Sequence, residues 1–276
     1  MKKIIVAAVL LLLVRATFAQ TAYHVEVKGK GSPLLLFPGF GCPGDVWNET
    51  LMELTKNHEC HVFTFAGFGG VKPVDSPWLQ TVKNDIETYI VSKKLQKASL
   101  LGHSLGGTLS LWLAADHPDF FDKIILVDAL PGSAALMIPN YTGEKIPYDN
   151  PQSKAMLAMD AEAFSQMNAQ SVAYMCRNQQ KRSQLTEWFN QADRKTYVYG
   201  YIDMLNLDLR EKIAQIKVPV HILAASLPNQ AMAEKTYKAQ YERLPAAQIT
   251  FAENAAHFVM FDQPEWFIRS LQHVLQ

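Results

Sequence analysis

One hexapeptide limits what this chain can fold into more than any other feature. Gly102-His103-Ser104-Leu105-Gly106-Gly107 follows a short apolar run at 98–101 and leads directly into an apolar helix rich in alanine and leucine. A strand that becomes a helix within so few residues forces the residue at the apex into a strained backbone conformation, and only small neighbours leave room for it. Gly102, Gly106 and Gly107 supply that room. Such a turn projects the Ser104 hydroxyl outward and sets the amide of Leu105 at a helix N-terminus, where a developing oxyanion is stabilised. Ser104 is therefore the candidate nucleophile. The pattern is short, so the rest of the chain has to agree with it.

The order of elements does agree. Apolar and polar residues alternate over 23–27, Gly29 and Gly31 supply a turn, and 33–37 is an apolar run, which together predict a hairpin entering the core. A helical pattern covers 46–56, a buried strand 61–65 and a second helix 82–95. The runs 98–101 and 124–127 flank a helix that ends near His117-Pro118. Strands alternating with helices imply parallel pairing and right-handed crossovers. Over 131–209 the alternation stops, and a segment rich in methionine, tyrosine and glutamine reads as several helices. It resumes with a strand at 218–223, a helix at 231–243, a strand at 248–251 and a helix after Pro264. The expected division is a leader at 1–19, a core formed by 20–130 and 210–276, and an inserted helical cap at 131–209.

The segments Leu34-Leu35-Leu36-Phe37-Pro38-Gly39-Phe40-Gly41, Gly67-Phe68-Gly69-Gly70, the serine turn and Ala255-Ala256-His257-Phe258 together make the chain from about Tyr23 to its end resemble a capped serine hydrolase of the α/β-hydrolase fold. The fold class this implies is α/β, a mostly parallel sheet flanked by helices with an inserted helical cap. The resemblance makes His257 the general base, because it lies just after the last strand and follows the serine in chain order. His103 is expected to pack beneath the turn. By the same resemblance the backbone amides of Phe40 and Leu105 form the oxyanion hole. The family more often has His-Gly where this chain has Pro38-Gly39, which alters the bracing of that loop and leaves both donors in place.

A triad also needs a carboxylate to fix the imidazole tautomer. The family usually places it after the strand corresponding to 218–223, yet residues 217–230 contain neither aspartate nor glutamate. Asp128, ending the run 124–127, emerges on the same sheet edge, where some lipases of this fold carry their acid. Asp128 and the neutral Asn229 remain the two candidates for orienting His257.

The implied reaction is acyl transfer to water, with carboxylic esters first. A peptidase using Asp160, Glu162 or Glu187 to hold a free amine, and a binding protein whose chemistry has lapsed, are the alternatives. Serine at the turn disfavours dehalogenase and epoxide hydrolase chemistry, which place an aspartate there. Met137, Met156, Met159, Met167, Met175 and Met204, with Phe164, Tyr174 and Trp188, either line an acyl pocket or form the cap's own core. Tyr197, Tyr199 and Tyr201 share a face if that stretch is extended.

Lys2 and Lys3, the apolar run at 4–14 and Thr17-Phe18-Ala19 have the layout of a secretory signal peptide, which predicts a secreted or periplasmic protein. That run is shorter than the roughly 20 residues of a membrane span, so no stable membrane anchor is expected. Lysine plus arginine and aspartate plus glutamate both number 26 without a basic block, so a neutral small-molecule substrate is expected and nucleic acid is not. No metal-ligand spacing occurs, and no cofactor or metal is expected. Cys42, Cys60 and Cys176 are an odd count, leaving open a Cys42 to Cys60 bridge.

Overall fold

The uninterrupted apolar runs become strands buried on both faces, as parallel strands between helical layers must be. A computed structural model describes residues 20–276, so the leader read at 1–19 lies outside the described residues. The first half contains β1 (Tyr23–Lys28), β2 (Ser32–Phe37), α1 (Asn48–Leu54), β3 (His58–Phe65), α2 (Trp78–Ser92), β4 (Ser99–His103), α3 (Leu105–Asp116) and β5 (Ile124–Val127). Five helices follow without an intervening strand: α4 (Ala134–Met137), α5 (Pro151–Ala158), α6 (Ala161–Met175), α7 (Gln179–Gln191) and α8 (Arg194–Asn206). The chain closes with β6 (Val220–Ala225), α9 (Gln230–Gln240), β7 (Gln248–Ala252), α10 (Val259–Asp262) and α11 (Pro264–Leu275).

The seven strands form one sheet in the order β1-β3-β2-β4-β5-β6-β7, parallel except for β1 against β3. This corrects the expected hairpin. β3 inserts between β1 and β2, so two strands adjacent in sequence never pair, and the Gly29–Gly31 turn packs on the start of β3 instead. An added Cβ at Gly31 would lie 2.0 Å from the Asn57 carbonyl oxygen, and its φ of +130° is open to few other residues.

Every residue of β5 is buried, as are Leu34–Phe37 of β2 and the last four residues of β4. These strands form the floor of the core, and their C-terminal ends share one edge. The ladder carries on past the strands at that edge: the Ser104 amide donates to the Val127 carbonyl at 2.9 Å, and the Asp128 amide to the Leu223 carbonyl at 3.0 Å. Ser104 and Asp128 are thereby fixed on neighbouring strand ends.

In the inserted segment the three tyrosines lie on helix α8, which corrects the extended alternative. Helical spacing puts Tyr197 and Tyr201 on one face, both against Phe40, with ring centroids at 5.2 and 5.8 Å. Tyr199 points elsewhere, to Tyr148 at 5.2 Å. All three cysteines are buried free thiols, so no Cys42 to Cys60 bridge forms. Among the described residues no helix is long and apolar enough to cross a membrane.

Candidate active site

The turn after β4 has the strain its glycines foretell. Ser104 has φ 52° and ψ −120°, a conformation side chains rarely adopt, and it caps α3. A Cβ at Gly102 would lie 2.3 Å from the Gly106 carbonyl oxygen, and one at Gly106 would lie 2.3 Å from the Phe37 carbonyl oxygen. Backbone meets backbone at both places, so no larger residue fits. The same closeness presses the start of α3 against the turn after β2, and an added Cβ at Gly39 would lie 3.3 Å from Ser104 Cβ. Among the described residues the amides of Phe40 and Leu105 donate to no protein acceptor. The Phe40 ring is held by Phe68, Trp78, Tyr197 and Tyr201.

Asp128 is strained as well, with φ 44°. Its Oδ2 lies 2.6 Å from His257 Nδ1, while Oδ1 accepts the Ala225 amide at 2.9 Å and the Tyr237 hydroxyl at 2.8 Å. The two side chains are 15% and 27% exposed, so the pair is largely shielded from water. Burial pushes the Asp128 carboxyl up. The hydrogen bond and charge of His257, with the Ala225 and Tyr237 donors, outweigh burial and hold the group below the ordinary carboxylate range. An ionised Asp128 accepts, so Nδ1 carries the hydrogen in this contact, and Nε2 is the ring nitrogen left to exchange a proton.

His103 is fully buried beside this pair, its ring centroid 4.7 Å from that of His257. Its Nε2 donates to the His257 carbonyl at 3.0 Å. Burial, then the neighbouring His257, pushes its imidazole down to about 3, so it is a neutral brace. Since His103 adjoins Ser104, this contact brings the His257 loop over the serine turn.

The structure thus sets Ser104 and Asp128 on neighbouring strand ends and joins Asp128 to His257, with Phe40 and Leu105 beside the serine turn; among the described residues no hydrogen bond joins the Ser104 hydroxyl to His257. Asn229 is elsewhere occupied: its carboxamide oxygen caps α9 by accepting the Met232 amide at 3.0 Å. Of the carboxylates weighed for amine binding, Asp160 caps α6 through the Ala163 amide at 2.8 Å, while Glu162 and Glu187 accept from Gln166 and Gln191 on their own helices. Phe164 is buried within the inserted helices and Tyr174 is 82% exposed. Among the described residues no group of three metal-ligating side chains comes together. Sequence reasoning missed Tyr237, whose phenol supports Asp128, and Asp262, five residues beyond His257.

A mostly parallel sheet carrying a strained serine at one strand end, with a histidine and an aspartate joined on the same edge, defines a hydrolase of the α/β class. The chain belongs to the alpha/beta hydrolase family, whose model matches residues 34–270. It is 22% identical over 264 residues to the pimeloyl-[acyl-carrier protein] methyl ester esterase of Aliivibrio fischeri, covering 92% of this chain and 98% of that protein. The protein of the same description from Aeromonas hydrophila is 24% identical over 272 residues, covering 90% and 97%. Among solved structures, an esterase from Exiguobacterium antarcticum superposes with a TM-score of 0.76 at 19% identity, covering 91% of this chain and 94% of that one. The enol-lactonase from Burkholderia xenovorans gives 0.74 at 16% identity, covering 92% and 96%.

Proposed function

We propose that this protein hydrolyses carboxylic esters through an acyl-enzyme on Ser104, with His257 as general base and Asp128 as the acid that orients it. The observation that carries the reading is the 2.6 Å contact between His257 Nδ1 and Asp128 Oδ2. It leaves Nε2 as the basic nitrogen on an edge where the neighbouring strand presents a serine at φ 52°.

Ser104 Oγ attacks the ester carbonyl carbon while Nε2 takes its proton. The carbonyl electron pair moves to the oxygen, which faces the amides of Phe40 and Leu105. Asp128 stays ionised and stabilises the imidazolium. Collapse of the tetrahedral adduct breaks the carbon–oxygen bond, and the departing alcohol takes the proton from Nε2. Water then attacks the acyl carbon as Nε2 takes its proton, and collapse of the second adduct breaks the bond to Ser104 Oγ, which recovers the proton from Nε2 as the acid is released. Two amide donors are worth having here because loss of one typically costs ~3 kcal/mol in the transition state.

Two further observations support an ester over an amide of a free amino terminus. The two relatives described above are methyl ester esterases, and the carboxylates at Asp160, Glu162 and Glu187 each accept a hydrogen bond within their own helices. The leader-like residues 1–19 add export to the proposal, which an N-terminal sequence beginning at Gln20 in the mature protein would check.

The test is a panel of p-nitrophenyl esters set against aminoacyl anilides, run on the wild type and on folded Ser104→Ala. Ester cleavage that disappears with Ser104→Ala is expected. Anilide cleavage without ester cleavage, or ester turnover that survives the substitution, contradicts the proposal.

A further inference from the structure

One carboxylate near the site takes no part in the proposed chemistry. Asp262 ends α10, and donors from two distant stretches of chain converge on it. Its Oδ1 accepts the backbone amides of Arg177 at 2.9 Å and Asn178 at 3.0 Å, and Cys176 Sγ lies 3.5 Å from the same oxygen. Burial, then the charge of Asp262, pushes that thiol up to about 12, so it remains a donor. Oδ2 accepts the amide of Ala256 at 2.8 Å, the residue immediately before His257. The residue immediately after it, Phe258, donates its amide to the Met175 carbonyl at 3.1 Å. Asn178 closes the arrangement by donating its carboxamide to the Phe261 carbonyl at 3.1 Å.

Both chain neighbours of His257 are therefore fastened to the turn at 175–178 that joins α6 to α7. One fastening runs through Asp262 and the other is direct. Asp128 restrains the imidazole only at Nδ1, which sets the rotation of the ring; where the ring sits depends on the backbone that carries it. That backbone is held from the core side as well: the His257 carbonyl accepts from His103, and the Ala255 carbonyl accepts the amides of Ser226 at 3.3 Å and Leu227 at 3.2 Å. The fastenings through Ala256 and Phe258, on either side of His257, lead to the inserted helical segment.

We infer that Asp262 is a positioning residue that locks the His257 loop to the α6–α7 turn, so that the imidazole keeps its place only while the inserted helices are docked. This rests on His257 being the base. It makes the inserted segment part of the catalytic machinery, because a displacement of the 175–178 turn moves the base with it. Asp262 suits the task because a carboxylate only accepts, and every group around it donates. An amide in its place would present one nitrogen donor to at least one of those donors.

The experiment compares Asp262→Asn with wild type in the full chain, using p-nitrophenyl butyrate turnover and active-site titration by a fluorophosphonate, so that kcat is expressed per titratable serine. The expected result is a fall in kcat per site of about 100-fold, the scale of a misplacement of ~1 Å, with KM changed less than about twofold. If Asp262 only holds the fold together, fewer serines titrate but each surviving site turns over at the wild-type rate, and that overturns the inference. Should Asp262→Asn fail to fold, Asn178→Ser serves instead: serine keeps the cap on α7 and cuts the link to Phe261. It is expected to lower kcat per site about tenfold, and an unchanged value overturns the inference. A wild-type protein with no titratable serine removes the acyl-transfer reading, and this inference with it.

Discussion

The ends of β5 and β6 lie side by side, with Val127 opposite Leu223, yet they are furnished in opposite ways. At the end of β5 the chain turns on Asp128 at φ 44°, and both carboxylate oxygens are engaged. At the end of β6 no carboxylate occurs, and Asn229 of that loop caps a helix. On the proposed mechanism, the difference means that the position of the acid is set by reach and not by strand number. An imidazole needs one carboxylate oxygen at Nδ1, and parallel strands deliver their ends to a common edge. The β6 side still contributes: Ala225 from the strand and Tyr237 from the helix after it both donate to Asp128, so the region without the acid supplies the donors that keep it ionised.

Three substitutions break or sharpen this contrast. Asp128→Asn should lower kcat by roughly 10⁴, the scale of neutralising a triad carboxylate; a fall of less than tenfold in ester turnover would return the acid's role to some other group. Tyr237→Phe removes one donor from an ionised, largely buried carboxylate and should reduce stability by about 1.5–3 kcal/mol near neutral pH, read by urea denaturation. The sign of its pH dependence follows from the lowered Asp128 pKa. A group whose folded-state pKa lies below its unfolded value of about 3.9 stabilises the protein fully above that value and loses the contribution as pH falls through the folded pKa. The gap between wild type and Tyr237→Phe should therefore be present at neutral pH and shrink on acidification below the carboxylate range. A gap independent of pH would mean that the phenol acts by packing alone. The smallest effect is expected from Asn229→Ala, which should cost about 1 kcal/mol through the lost cap and leave kcat unchanged. A large loss of turnover in that variant would erase the contrast between the two strand ends.

Much of this was legible in the sequence because its causes are local. The Ser104 turn could be read because glycines are the only residues that fit where backbone packs on backbone, and the strands of the floor could be read because they are continuously apolar. Sheet order was not local. Residues 23–37 have the pattern of a hairpin, and nothing within them announces that β3 will pass between the two strands. The tyrosines at 197, 199 and 201 fit an extended or a helical reading in isolation, and it is the helix that sets Tyr197 and Tyr201 against Phe40 and turns Tyr199 toward Tyr148. Asp128 could be inferred from the vacancy after β6, since a missing carboxylate is visible in a sequence. Tyr237 and Asp262 could not be, because each acts on a residue or turn that only folding brings near. The proximity of Asp262 to His257 in the chain was the one available signal, and a carboxylate in the first turn before a helix more often serves that helix.

The central claim is that Ser104 is an activated nucleophile, and the most direct measurement is the intact mass of the folded protein after exposure to a fluorophosphonate, followed by peptide mapping. One adduct is expected, on the peptide containing Ser104, absent from Ser104→Ala and formed much more slowly by Asp128→Asn. No adduct on the folded wild type, or one that persists in Ser104→Ala, would contradict it.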